Sequence, residues 1–354
     1  MKAAAGRLAL LAASVVATLA VLEAGCRLVR GRYYVLHWPN LVLDQREAAE
    51  RYYRTVMSPD ARLGFVPRPG HEGPTFSHDS DGLRRTPAEA GIGPRPLLLA
   101  VGDSFAYGAE VGDAGTWPSR LQDAVRTRVA NGGVAAYGLD QAVLRAEALT
   151  QALQPEAILL SFIADDLRRA ELSRFLGFEK PYLVPSGDRL AAANVPVPSA
   201  PSARDSLSFW ERLLGWSVLF DTVARRLDAA EDWPYDSVRV LPPGTGERMA
   251  CPLMARLAEL SRPVLVIAQY DPSAWESAEG EQAQRRMTAV VLECAARAGL
   301  ATLDTFDVVT RAAGPQGTAA LFGPEGHYNA RGNAVIADAI AARLAALGWV
   351  SPKP

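Results

Sequence analysis

Few side chains in this chain are placed to do acid–base or nucleophilic chemistry. It holds four histidines, His37, His71, His78 and His327, so any imidazole acting as a general base is one of these. His327 lies in Phe322-Gly323-Pro324-Glu325-Gly326-His327-Tyr328-Asn329, a glycine-containing loop with a carboxylate two residues before the imidazole. Far upstream, the apolar run Leu97 to Val101 stops at Gly102-Asp103-Ser104. That puts a serine just past the C-terminal end of a buried strand, where open α/β sheets bind their ligands. A serine hydroxyl needs an imidazole to take its proton, and the imidazole needs an acceptor for its other nitrogen. Ser104, His327 and Glu325 fill those three roles in nucleophilic attack on an acyl carbonyl. The same serine could instead cap the helix that follows it.

The elements that must position these residues read as alternating strands and helices. After the run opened by Pro96 come a helix from about Trp117 to Ala130, a short strand entering Asn131, a helix from Leu139 to Leu153 and a buried run from Ala157 to Ile163. A helical stretch containing Met249 to Leu260 leads into the strand Pro263 to Ala268. The helix Glu281 to Ala298, the strand Leu300 to Asp304 and a last helix from about Asn333 to Leu347 complete the series. Such alternation means βαβ units, hence an α/β fold with a parallel sheet and helices on both faces. Residues 171–246 interrupt it with many prolines and one amphipathic helix around Ser208 to Leu227. An insertion of this kind either shapes the substrate site or decorates the surface. The expected layout is a membrane segment over residues 1–30, an aromatic-rich extension over 31–95, and a catalytic domain over 96–350 that carries the insertion.

Composition removes several classes. The 354 residues are 49% hydrophobic and 21% charged, and 37 basic against 39 acidic residues leave a net charge of −2. No basic field exists to hold nucleic acid. Neither CxxC nor HExxH spacing occurs among the 3 cysteines and 4 histidines, so no metal site and no cofactor is expected. A Cys251 to Cys294 bridge is open to the chain in an oxidising compartment.

Lys2 and Arg7 precede an uncharged run from Leu8 to Leu22, which is followed by Glu23, Cys26, Arg27, Arg30 and Arg32. Fifteen residues rise about 22 Å as a helix, short of the roughly 30 Å hydrocarbon core, and the segment spans only if Ala3 to Cys26 are included. The readings are an uncleaved signal anchor, a cleaved signal peptide or a buried helix. A lipoprotein signal ending at Cys26 is disfavoured by Glu23, which stands where an aliphatic residue is wanted. Basic flanks on both sides leave the orientation undecided.

With these residues in hand, the chain resembles the SGNH or GDSL hydrolases, a superfamily of flavodoxin-like serine esterases with a three-layer fold. Gly102-Asp103-Ser104 match its first block, Gly133 in Asn131-Gly132-Gly133-Val134 the second, and His327 the last. The resemblance extends to a membrane-tethered branch often associated with bacterial exopolysaccharide. It is carried there by Asp81-Gly82-Leu83-Arg84, Tyr137-Gly138-Leu139-Asp140-Gln141 and Lys180-Pro181-Tyr182. It implies Ser104 as nucleophile, His327 as base, and the backbone N–H groups of Ser104 and Gly133 as oxyanion donors. It also implies a small acyl ester of a carbohydrate or other envelope substrate, and a catalytic domain held outside the cytoplasm by a single-pass anchor in the inner membrane. Acyl transfer to a polysaccharide, or a binding protein that has lost its chemistry, are the alternatives.

Two positions depart from the family. Glu325 stands where the branch often has aspartate, one methylene longer. Where the family has Asn-Asp after the buried strand, this chain has Asp165-Asp166. The asparagine would donate an amide N–H to the oxyanion, whereas an ionised Asp165 only accepts and repels the developing charge. A protonated Asp165 would donate. Either aspartate could also cap the helix expected from Leu167, and for Asp166 that reading is the stronger.

Overall fold

Five apolar runs pair side by side in the computed structural model, which describes residues 2–87, 92–94, 97–186, 189–226, 233 and 235–350. They are β1 (Leu97–Val101), β2 (Arg128–Asn131), β3 (Ala157–Phe162), β4 (Val264–Ala268) and β5 (Ala301–Asp304). All pairs are parallel, with Leu98 opposite Val129 and Ala157, Leu265 opposite Leu159, and Val266 opposite Thr302. β1, β3 and β4 are buried at every residue, which is why they read as unbroken apolar runs and not as an alternation. The strand order is 2-1-3-4-5. The chain therefore steps outward from β1 to β2 and returns across β1 to β3. The C-terminal ends of β1 and β3 form the switch point where this topology opens a crevice.

Eight helices flank the sheet among the described residues. They are α1 (Ser104–Tyr107), α2 (Trp117–Val125), α3 (Leu139–Leu153), α4 (Asp165–Arg169), α5 (Thr245–Ala258), α6 (Ala278–Arg297), α7 (Phe306–Ala313) and α8 (Ala330–Ala346). Leu98, Ala100, Leu159, Leu265 and Ile267 share one core with Trp117 and Leu121 of α2 and Ile336, Ile340 and Leu344 of α8. The alternate strand residues point to the opposite face, where α3, α5 and α6 pack. The disulfide Cys251–Cys294 joins α5 to α6, closing the bridge that sequence left open.

Some boundaries differ from expectation. α2 ends at Val125 because Arg126 takes a left-handed backbone, and residues expected to prolong the helix to Ala130 form β2 instead. The helix expected from Leu167 begins two residues earlier. The insertion helix is two pieces, Phe209–Leu214 and Val218–Arg226. Pro96, Leu227 and Arg95, which sequence used as boundaries, lie outside the described residues.

The chain divides into two compact units, Thr55–Ser173 with Glu179–Pro198 and Arg239–Pro354, and Met1–Arg54 with Arg174–Phe178 and Ser199–Val238. The expected extension and insertion are thus each split. In the first unit, the hairpin Met57–Asp60 with Gly64–Pro67 is fastened by Tyr137, whose hydroxyl donates to Phe65 O at 2.5 Å, and by Gln141, whose amide donates to Leu63 O at 2.8 Å. Lys180 and Asp140, both fully buried, pair at 3.0 Å. The stretches that carried the envelope-branch resemblance therefore make scaffold contacts. In the second unit, the helix Lys2–Arg30 contains a segment, Ala4–Arg30, long and apolar enough to cross a membrane. Its 29 residues rise about 43 Å at 1.5 Å each, so length is no longer the obstacle it was for the uncharged run alone.

Candidate active site

β1 delivers Gly102, Asp103 and Ser104 to the switch point, and α1 starts at once. Asp103 is its N-cap, accepting from the Phe105 N–H at 2.9 Å. Ser104 is not the cap, so the capping reading of the serine fails and its hydroxyl is left to another partner. Its Oγ reaches Asp103 Oδ2 at a long 3.4 Å, and the closer partner is His327, whose Nε2 lies 2.9 Å from Ser104 Oγ. The two residues are 223 apart in sequence and meet because β1 and the loop before α8 end on the same side of the sheet. The His327 ring packs on Phe105, centroids 5.1 Å apart, and Trp117 Nε1 donates to Phe105 O at 3.1 Å. The imidazole thus rests on a wall that α2 holds in place.

The carboxylate behind the imidazole is Glu110, not Glu325. Glu110 Oε2 is 3.5 Å from His327 Nδ1, just beyond hydrogen-bond length. The same carboxylate accepts the His327 N–H at 2.7 Å and the Glu325 N–H at 2.9 Å. Glu325 contributes its backbone to the loop and leaves its side chain exposed. Gly323 permits this packing, since a Cβ there would lie 2.4 Å from Glu110 Oε1. Glu110 is in turn held by the loop that carries it. Buried Arg84 donates to Tyr107 O and Gly108 O at 3.2 Å and to Val111 O at 2.7 Å, and pairs with Asp113 at 2.7 Å. The sequence signal for Glu110 was slight: it is the one carboxylate between Ser104 and Gly112.

Of the two oxyanion donors implied by the resemblance, one is otherwise engaged and one is not. The Gly133 N–H donates to Asn131 Oδ1 at 3.0 Å, and Asn131 Nδ2 donates to Ala106 O at 3.1 Å. A Cβ on Gly133 would sit 2.5 Å from Tyr107 N, so this glycine serves close packing against α1. The Ser104 N–H has no acceptor among the described residues.

Asp165 is clamped between two guanidinium groups. Its Oδ1 accepts from Arg168 Nε at 2.7 Å, and its Oδ2 pairs with Arg169 Nε at 2.7 Å. Burial acts to raise its pKa, but the guanidinium charges of Arg169 and Arg168 and their hydrogen bonds outweigh this and hold the carboxyl below the ordinary range. These contacts favour the ionised, accepting form of Asp165 over the protonated, donating one. Neither aspartate is the cap of α4, whose N-cap is Ala164. Asp166 Oδ2 accepts the Ile163 N–H at 3.1 Å and its Oδ1 accepts from Arg169 at 3.0 Å. Burial and the nearby Asp103 push the Asp166 carboxyl well above the usual range. Arg169 also lies 3.5 Å from Asp103, so one largely buried guanidinium gathers three carboxylates beside Ser104. Sequence reasoning missed this arginine, although its spacing of three and four residues from two aspartates on a helix is a pairing signal.

No metal-binding group of three or more His, Cys, Asp or Glu occurs among the described residues. No protein-family profile matches the chain, and no curated protein matches it. Solved structures do resemble it. An α/β hydrolase enzyme, LAE5, from the metagenome of Lake Arreo is 16% identical over 72% of this chain and 96% of its own, with a TM-score of 0.45. Axe2, an acetylxylan esterase from Geobacillus stearothermophilus, is 15% identical over 72% of this chain and 95% of its own, with a TM-score of 0.42. The psychrotrophic esterase EstA from Pseudoalteromonas sp. is 12% identical over 71% of this chain and 98% of its own, also at 0.42. The functional reading rests on the side chains and not on these likenesses.

Proposed function

We propose that this protein is a membrane-anchored serine esterase acting outside the cytoplasm on a small acyl ester of a carbohydrate or related envelope substrate. The observation that carries the reading is the 2.9 Å approach of His327 Nε2 to Ser104 Oγ at the end of β1. Ser104 Oγ attacks the acyl carbonyl carbon and its proton passes to Nε2. That proton then goes to the departing alkoxide, leaving an acyl-serine. Water, activated by the same imidazole, releases the acid and restores the serine. Glu110 holds the ring and balances the imidazolium formed at each step. A sugar hydroxyl in place of water would make the same site an acyltransferase. The carbohydrate rests on the sequence resemblance alone, while the oxidising compartment is also supported by the Cys251–Cys294 bridge.

A second reading is favoured by two observations. The Gly133 N–H is spent on Asn131, and Asp165 sits between Arg168 and Arg169, whose charges hold its carboxyl below the ordinary range, which leaves the oxyanion poorly served, as in a binding protein descended from an esterase. Labelling the full chain with a fluorophosphonate and mapping the adduct separates the two. The esterase reading expects modification of Ser104, lost in Ser104→Ala together with hydrolysis of a short-chain aryl ester. A wild type no more reactive than Ser104→Ala supports the binding protein, and activity surviving that substitution would falsify the assignment of Ser104.

A further inference from the structure

The second unit carries helices whose amphipathicity is reversed. In Phe209–Leu214 and Val218–Arg226 the inward face is ionic: Glu211 is buried and pairs with Arg46 at 2.5 Å, and Asp221 is buried and pairs with Arg30 at 2.7 Å and Arg225 at 3.0 Å. The outward face is apolar. Phe209, Leu213, Trp216, Phe220 and Val223 recur at steps of four, three, four and three residues, with Trp210 beside them, and all are exposed, Phe209 at 69% and Trp210 at 62%. Gly215 between the pieces keeps a right-handed helical backbone, so the stripe continues across the break. A helix on the surface of a water-soluble domain turns its apolar stripe inward. A contiguous exposed apolar face marks an interaction surface.

The same unit shows what covers it. The two helices are tied to the helix Lys2–Arg30 near its C-terminal end, just past its apolar run. Glu23 accepts from the Ser217 hydroxyl at 2.8 Å and from the Val218 and Leu219 N–H groups at 3.0 and 2.9 Å. Arg27 donates to Trp216 O at 2.5 Å. Leu36 and Trp38, which follow that helix, are exposed as well. Tryptophan and phenylalanine beside arginines, where an apolar helix ends, match the composition of the membrane–water interface. The exposed Arg32, Arg212 and Arg226 suit phosphate headgroups.

We propose that this stripe lies on the surface of the lipid bilayer that residues 4–30 cross, its side chains reaching about 5–10 Å into the headgroup and acyl boundary. The inference rests on the anchor reading of residues 4–30. Spin labels on the full chain in phosphatidylcholine and phosphatidylglycerol vesicles test it. Cys26→Ser removes the free thiol, and single cysteines are placed at Val15, Leu213, Phe220 and, as an aqueous control, exposed Arg189. Labels at Val15, Leu213 and Phe220 should be open to oxygen and shielded from an aqueous nickel reagent, with Arg189 the reverse. If Leu213 and Phe220 are as open to nickel as Arg189 while Val15 is shielded, the stripe is not on the bilayer though the anchor stands. A nickel-accessible Val15 removes the anchor reading and this inference with it. Labels at Leu213 and Phe220 shielded from both reagents, with dipolar broadening between chains, would assign the stripe to a second copy and overturn the proposal. The unlabelled chain gives an independent check: brominated acyl chains should quench its tryptophan emission less once Trp210→Phe and Trp216→Phe are introduced.

Discussion

Two carboxylates compete for the role behind His327, and their substitution should separate them. Glu110→Gln keeps the volume but removes the charge facing Nδ1 and weakens the acceptor of two backbone N–H groups. We expect kcat for a short-chain ester to fall by about 10²-fold or more, given what triad carboxylates contribute elsewhere. Glu325→Gln should leave kcat within about twofold, because its side chain is exposed and a surface change of this kind costs only tenths of a kcal/mol. The reverse pattern in steady-state kinetics would restore Glu325. Asp165 supplies the second residue-level prediction. Its depressed pKa means that its ion pairs stabilise the fold above the ordinary aspartate pKa of about 3.9, and that this stability is lost as pH falls through the lower folded value. Asp165→Asn should therefore lower stability near neutral pH by an amount on the order of 1–3 kcal/mol, since it leaves the Arg169 guanidinium short of a partner. Turnover should not rise, because the carboxamide stays between two guanidinium groups. Denaturation midpoints with ester kinetics from about pH 5 to 9 decide it, and a tenfold gain in rate would show that position 165 does face the oxyanion.

At the scale of elements, the segment before β1 acts on the site through the loop it holds. His78 is buried, its Nδ1 3.0 Å from Arg68 O and its Nε2 2.8 Å from the Tyr107 hydroxyl. A carbonyl only accepts, so Nδ1 carries the proton and Nε2 accepts from Tyr107. Burial lowers its pKa to about 4, with the Arg68 contact opposing. An unfolded histidine binds its proton near pH 6.5, so this contact stabilises fully above that value and is lost as pH falls from 6.5 towards 4, by up to about 3 kcal/mol. Urea midpoints should drop across that window in the wild type and less steeply in His78→Gln; equal slopes would sink the assignment. What sequence showed of these elements follows the same physics. β1, β3 and β4 were legible because strands buried on both faces must be continuously apolar. Ser104 and His327 were legible because strand end and loop histidine carry their chemistry in residue type. Glu110 was not, since which carboxylate meets an imidazole is decided by how two loops pack, with Arg84 and Gly323 setting that packing from 26 positions upstream and 213 downstream. Proximity in sequence pointed instead to Glu325. The short helices α1 and α7 escaped because four and eight residues hold too few turns to establish a period.

For the whole molecule, the disulfide links fold to compartment. Cys251 and Cys294 are 43 residues apart, and the loop they close contains the crossing from α5 through β4 to α6. Constraining a loop of that length in the unfolded chain stabilises the fold by up to about 4 kcal/mol. The bond persists only where the surroundings are oxidising, so it and the anchor make one joint prediction. With the catalytic unit outside the cytoplasm, alkylation of intact cells before lysis should leave Cys251 and Cys294 unmodified until a reductant is added. A C-terminal alkaline phosphatase fusion should be active. Reduction, or Cys251→Ser with Cys294→Ser, should lower the thermal midpoint by an amount on the order of 10 °C. It should not change the rate of Ser104 labelling at a temperature where both forms are folded, because α5 and α6 pack on the face away from α2 and α8. Free thiols in the native chain, together with an active cytoplasmic reporter at the C-terminus, would reverse the topology. A bridge with a silent periplasmic fusion would break the link between oxidation and orientation, and the case for an extracytoplasmic esterase would then rest on the sequence resemblance alone.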